Sequence, residues 1–174
     1  MDYSELHCFS NFSFLRGASH PEELVQQAAA LGYGALAITD ECSVAGVVRA
    51  HVATRAHPIK LIVGADMVTE EQLHLVVLAP TREAYGQLCT LITRARSRSE
   101  KGHYQLRVKD LYPATDACLF IWLPTAGQCL QPNEYCQALL AATAERLWIG
   151  LENNLRQADA DLCRQRQWLA QQLG

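Results

Sequence analysis

The chain has 174 residues, of which 49% are hydrophobic, 19% charged and 7% aromatic. That is a globular composition, and it excludes a disordered tail, a collagen-like fibre and a coiled-coil rod. Fifteen Lys and Arg against eighteen Asp and Glu leave a net charge of −3, which argues against this segment gripping a phosphate backbone by itself, because such binding needs surplus cations. No apolar run approaches the ~18 residues of a membrane span, and Met1–Glu5 lacks the basic start and apolar core of a signal peptide. A cytoplasmic location without a membrane partner is therefore expected. Seven cysteines (Cys8, Cys42, Cys89, Cys118, Cys129, Cys136 and Cys163) are scattered through apolar runs with no Cys-x-x-Cys pair. They read as reduced thiols acting as small hydrophobes rather than as a zinc ribbon.

In chain order, Glu5–Cys8 is a short strand. Ser19 with Glu22 three residues on has capping-box spacing. Pro21–Leu31 then puts Leu24, Val25, Ala28 and Leu31 on one helical stripe, and Gly32 is a stop signal. Ala35–Thr39 reads as a strand and Val44–Arg55 as a helix, ended by Pro58. Thr39, Asp40 or Ser43 could cap that helix, and the helix dipole would favour Glu41 near its start. Two strands follow, Lys60–Ala65 and Leu73–Leu78. The helix Arg82–Ser97 turns Tyr85, Leu88, Leu91 and Ile92 inward. Its basic end, Arg94, Arg96 and Arg98 with Lys101, reads as a solvated helix terminus rather than a nucleic-acid contact, and Ser97–Tyr104 as a loop. Cys118–Leu123 is a strand, Thr125–Pro132 a loop, Asn133–Glu145 a helix, Leu147–Leu151 a strand and Leu155–Leu173 a helix. The runs from Ala35, Lys60 and Cys118 are apolar at nearly every position, as in a parallel sheet covered by helices on both faces. This alternation predicts an α/β class with parallel strands surrounded by helices. A closed barrel and an open sheet both satisfy it. Residues 1–174 are expected to form one domain, with Met1 a native start and Gly174 a cut or abrupt end.

Polar residues gather at the expected strand ends: His7, Asp40 with Glu41, and Asp66, with His74 at the start of its strand or in the hairpin before it. Two imidazoles and several carboxylates could hold one or two divalent cations and activate water against a phosphoester. No pair has diagnostic spacing, and the alternative is ordinary strand-end capping. His20 reads as a turn residue, His51 and His57 as solvent-facing, and His103 as a loop residue. No phosphate-cradling glycine loop and no Gly-x-Ser-x-Gly elbow occurs.

Glu5-Leu-His7-Cys-Phe9-Ser-Asn-Phe-Ser13-Phe-Leu15-Arg-Gly17-Ala-Ser resembles the first motif of the polymerase-and-histidinol-phosphatase (PHP) domain, which opens the α subunit of bacterial DNA polymerase III and its relatives. Ala35–Glu41 is similar to the second motif, Ile59–Asp66 to the third, and His74–Ala79 with Tyr85–Leu88 to the stretch after it. The form of the first motif is closest to the error-prone branch of the C-family polymerases. The resemblance implies a distorted β/α barrel, here truncated, with further strands and the polymerase domains beyond the chain. It implies a parent enzyme carrying out DNA-templated nucleotidyl transfer with magnesium in mutagenesis and lesion bypass, with DNA and other replication or mutagenesis proteins as partners. It implies no catalytic residue and no cofactor in this segment. The family's metal positions map to His7, Asp40, Glu41, Asp66 and His74, a vestigial set. Phe9 replaces a histidine, Arg16 replaces an acid, and Leu123-Pro124 stands where a cysteine ligand is expected. Arg16 could instead pair with Glu41, Asp40 or Asp66. The rival expectation is an active zinc- or manganese-dependent phosphoesterase, either histidinol-phosphatase-like or a proofreading nuclease.

Overall fold

A computed structural model describes residues 3–112, 115–152 and 159–173. Six strands form one sheet in sequential order: β1 (Ser4–Glu5), β2 (Ala35–Ile38), β3 (Lys60–Val68), β4 (His74–Ala79), β5 (Leu119–Trp122) and β6 (Leu147–Ile149). The helices are α1 (Pro21–Ala30), α2 (Val47–Thr54), α3 (Arg82–Ser97), α4 (Ala126–Leu130), α5 (Glu134–Thr143) and α6 (Asp159–Leu173). The first part of the expected last helix, residues 155–158, lies outside the described residues. β1, β2 and β3 pair in parallel, as do β5 and β6. β4 runs antiparallel to both neighbours, so one reversed strand stands within the expected α/β sheet of parallel strands. The cause is the short Val68–His74 connection, which leaves room for a hairpin but not for a helical crossover.

The sheet curls. Residues of both edge strands, β1 and β6, line one trough of about 860 Å³ whose floor is Ile62, Val76, Leu78 and Ile121. Its outer face carries the main core. Met67, Leu75, Val77, Phe120 and Trp122 from the strands meet Leu88 and Leu91 of α3, Leu139 of α5 and Leu169 of α6, all buried. A second cluster seals α1 and α2 onto β2 through Val25, Ala28, Leu36, Ile38 and Ala50. Strands apolar on both faces are thus used on both faces, and the polar groups are left to the strand ends.

Local signals shift by a residue or so. The cap of α1 is His20, whose N–H donates to Glu23 at 2.7 Å, one position after the expected Ser19–Glu22 frame, because Pro21 takes the first helical position. Gly32, at φ +75°, ends the helix as expected. α2 begins at Val47, and none of Thr39, Asp40 or Ser43 caps it. β3 continues to Val68 because its antiparallel ladder with β4 extends that far. The Thr125–Pro132 stretch is not wholly a loop: Thr125 caps the short helix α4. Among the described residues all seven cysteines are free, and Cys42, Cys118, Cys129 and Cys136 are buried.

Candidate functional site at the barrel mouth

β3 delivers Asp66 to the mouth of the half-barrel, and the reversed β4 returns His74 to the same end, paired with Val68 two residues beyond Asp66. β1 delivers His7 just after its last paired residue. The three side chains converge, their ligating atoms all lying within 4.8 Å of one another. His7 Nε2 lies 3.0 Å from Asp66 Oδ2, and His74 Nε2 hydrogen-bonds to the same oxygen. Arg16 takes the other oxygen, with Nη1 2.9 Å from Asp66 Oδ1 and 3.4 Å from Glu41 Oε2. Its guanidinium carbon lies 4.0 Å from the centroid of the Phe9 ring, which meets His7 edge-on at 4.8 Å. Phe9 and Arg16 are therefore stacked on each other beside the His7, Asp66 and His74 cluster.

Asp40 is not among the converging groups. It is fully buried and accepts the Ser10 N–H at 2.8 Å and the Ser10 and Ser13 hydroxyls at 2.7 Å each. Its chemistry is spent on holding the first-motif loop. Glu41 reaches the site only through Arg16. Its backbone is fixed beside β3 by Asp66 N–H to Asp40 O at 3.2 Å and Cys42 N–H to Asp66 O at 2.8 Å. Arg96 clamps the same turn, donating to the carbonyls of Glu41 at 2.9 Å, Cys42 at 3.2 Å and His103 at 3.2 Å. Arg98 pairs with Asp110 at 2.6 Å. The basic run is thus partly a structural clamp rather than a merely solvated helix end.

Sequence reasoning passed over Glu152. Its Oε1 lies 3.0 Å from His7 Nδ1, so the histidine bridges two carboxylates and the two sheet edges. Glu152 follows the apolar run Leu147–Leu151 at once, the same strand-end position that singled out Asp40 and Asp66. Arg166 of α6 was passed over as well. It is 5% exposed, donates to Pro124 O at 3.0 Å and Gly150 O at 3.1 Å, and stands 3.7 Å from Glu152 Oε2. Charge therefore alternates along Arg166, Glu152, His7, Asp66, Arg16 and Glu41. Burial disfavours a charged His7, but hydrogen bonds and charge from Asp66 and Glu152 outweigh it and raise its pKa to about 9. Burial likewise opposes ionisation of Asp66, yet His7 and His74 hold it well below the usual carboxylate range. Glu152 is lowered chiefly by its bond to His7.

The PHP domain model matches residues 5–158, so the chain belongs to the PHP-domain family. Its relatives include error-prone DNA polymerases. It is 50% identical over 174 residues to that of Vibrio vulnificus (strain CMCP6), covering 99% of this chain and 17% of the relative. It is 49% identical over 165 residues to that of Dechloromonas aromatica, covering 92% and 16%. The chain thus spans about one sixth of the length of the curated relatives it matches. Among solved structures it resembles a Bifidobacterium adolescentis protein named for metal-dependent phosphoesterase activity, with TM-score 0.66 and 15% identity over 97% of this chain and 84% of that one. It also resembles a two-domain Bacteroides vulgatus protein with a PHP-like portion, with TM-score 0.55 and 16% identity over 79% and 40%. At these identities the likeness concerns the fold. No helix among the described residues is long and apolar enough to cross a membrane.

Proposed function

We propose that this domain is the PHP segment of an error-prone DNA polymerase and serves it as a structural element, with an arginine in place of the family's metal. The parent reaction would be DNA-templated nucleotidyl transfer with magnesium, on DNA, in damage-induced mutagenesis and lesion bypass in the cytoplasm. Replication or mutagenesis proteins would be its partners. Identity near 50% to error-prone polymerases over nearly the whole chain supports the parent.

The single observation that carries the local role is the Arg16–Asp66 contact of 2.9 Å. His7, Asp66 and His74 alone offer enough donors for one borderline ion such as zinc or manganese, and this favours the rival reading of a metal-dependent phosphoesterase. The donor set does not fit a catalytic cluster, however. Both oxygens of Asp66 are engaged, His7 is bonded through both ring nitrogens, and Phe9 offers no ligand. A guanidinium on the central carboxylate supplies the positive charge an ion would bring and repels the ion itself. The residues present therefore orient one another: His7 donates to Asp66 and Glu152, and Arg16 draws the first-motif loop onto β3.

Two assays of the full-length chain test this. Primer extension on a DNA template is expected to show metal-dependent incorporation. Hydrolysis of a phosphomonoester or of a DNA 3′ end, with zinc or manganese added, is expected to stay at background. Manganese-stimulated hydrolysis that disappears in Asp66→Asn while polymerisation survives would establish the rival.

A further inference from the structure

The first-motif loop has its polarity inside out. Ser10 and Ser13 turn inward onto buried Asp40, and the Ser13 hydroxyl accepts the Glu41 N–H at 2.9 Å. Backbone bonds from Ser13, Arg16 and Gly17 close the turn, and Asn11 N–H to Ser19 O at 2.8 Å closes the loop. Gly17 lies so near Ser10 that a Cβ would sit 2.0 Å from its carbonyl oxygen. The loop is therefore over-determined by its own contacts, yet it presents Phe12, Phe14 and Leu15 outward, 44%, 84% and 89% exposed. Leu15 is held at φ +60°, a conformation that a bulky L residue adopts only when its surroundings impose it.

Resting on the polymerase reading above, we propose that Phe14 and Leu15 form an apolar knob that docks on the remainder of the polymerase chain. The relatives carry about five sixths of their length outside the matched segment, so a large protein surface is covalently available at high effective concentration. A rigid loop with two exposed apolar side chains gives up little ordering entropy when it is covered. Charge speaks against nucleic acid as the occupant. The only Arg or Lys of the loop, Arg16, is spent on Asp66 and Glu41, so the loop itself offers no free Arg or Lys to a phosphate, and the segment is net acidic.

The test places the photo-crosslinking residue p-benzoylphenylalanine at position 14 of the full-length chain, a conservative replacement at an exposed site. Crosslinked peptides are mapped by mass spectrometry with and without primer–template DNA. The expected product is an intramolecular crosslink to a peptide outside residues 1–174. It should be insensitive to dilution and to DNA, and fall to background when Leu15→Asp is added. Crosslinked dimers that fade on dilution, crosslinks to DNA, or no crosslink would each overturn the proposal. Primer extension by the same preparation separates its failure from failure of the polymerase reading: an active polymerase without the crosslink refutes the knob alone.

Discussion

At the scale of the residue, the site is governed by Asp66. It is completely buried and its charge is shared among two imidazoles and a guanidinium. Removing one partner of such a group strands the others. Asp66→Ala is therefore expected to destabilise the domain by about 3–5 kcal/mol, read as a lowered urea midpoint with an unchanged slope. Arg16→Ala should cost less, about 1–2 kcal/mol, since its side chain is 35% exposed and solvent screens the pair. His7 gives the pH dependence. Its folded pKa, raised from 6.5 to about 9, lies above the unfolded value. Its stabilisation is therefore complete below about pH 6.5 and is lost as pH rises through 9. Asp66 is depressed, so its contribution is present at and above about pH 4 and is lost only in strong acid. Stability is expected to decline between pH 6.5 and 9.5, and His7→Gln should flatten that decline. Equal slopes in both proteins would show that His7 is not the titrating group.

At the scale of the element, the hairpin between β3 and β4 decides where the ligand-type residues meet. Asp66 and His74 were legible as polar residues beside apolar runs, and the short connection allowed a hairpin before His74, but periodicity left the direction of β4 open, because a strand buried on both faces reads the same in either direction. Without the reversal His74 would lie at the far end of the sheet. Asp40 illustrates the converse. Its position suggested a ligand or a cap, yet the structure spends it on Ser10 and Ser13, a pairing thirty residues apart in sequence for Ser10 that no local pattern announces. Glu152 was readable in principle from the strand-end rule and Arg166 was not, since a lone arginine on a helix gives no sign of which carbonyls it will meet. The helices were the most legible part, because their stripes and breakers act locally. The hairpin turn also holds Gln72 at φ +65°. Gln72→Gly should raise stability by up to about 1 kcal/mol, and Gln72→Val should lower it by about 1 kcal/mol or more. Thermal melting of the two variants gives the signs, and a destabilising glycine would mean that the turn is not strained.

At the scale of the whole molecule, β1 and β6 are the two edges of a curled sheet, and among the described residues no backbone ladder joins them. The His7–Glu152 pair ties them at the mouth, extended by Arg166 on one side and by Asp66, Arg16 and Glu41 on the other. A line of alternating charge thus runs from α6 to the β2–α2 turn, and under the proposed structural role it organises the mouth. The central claim is that the positive charge at this mouth comes from Arg16. Its most direct test is the metal content, by inductively coupled plasma mass spectrometry, of full-length protein purified without chelator and without added metal. The account predicts zinc and manganese far below one ion per chain, in a protein that is folded and active in primer extension. One or more tightly held ions per chain, lost together when Asp66→Asn and His74→Gln are introduced, would contradict it.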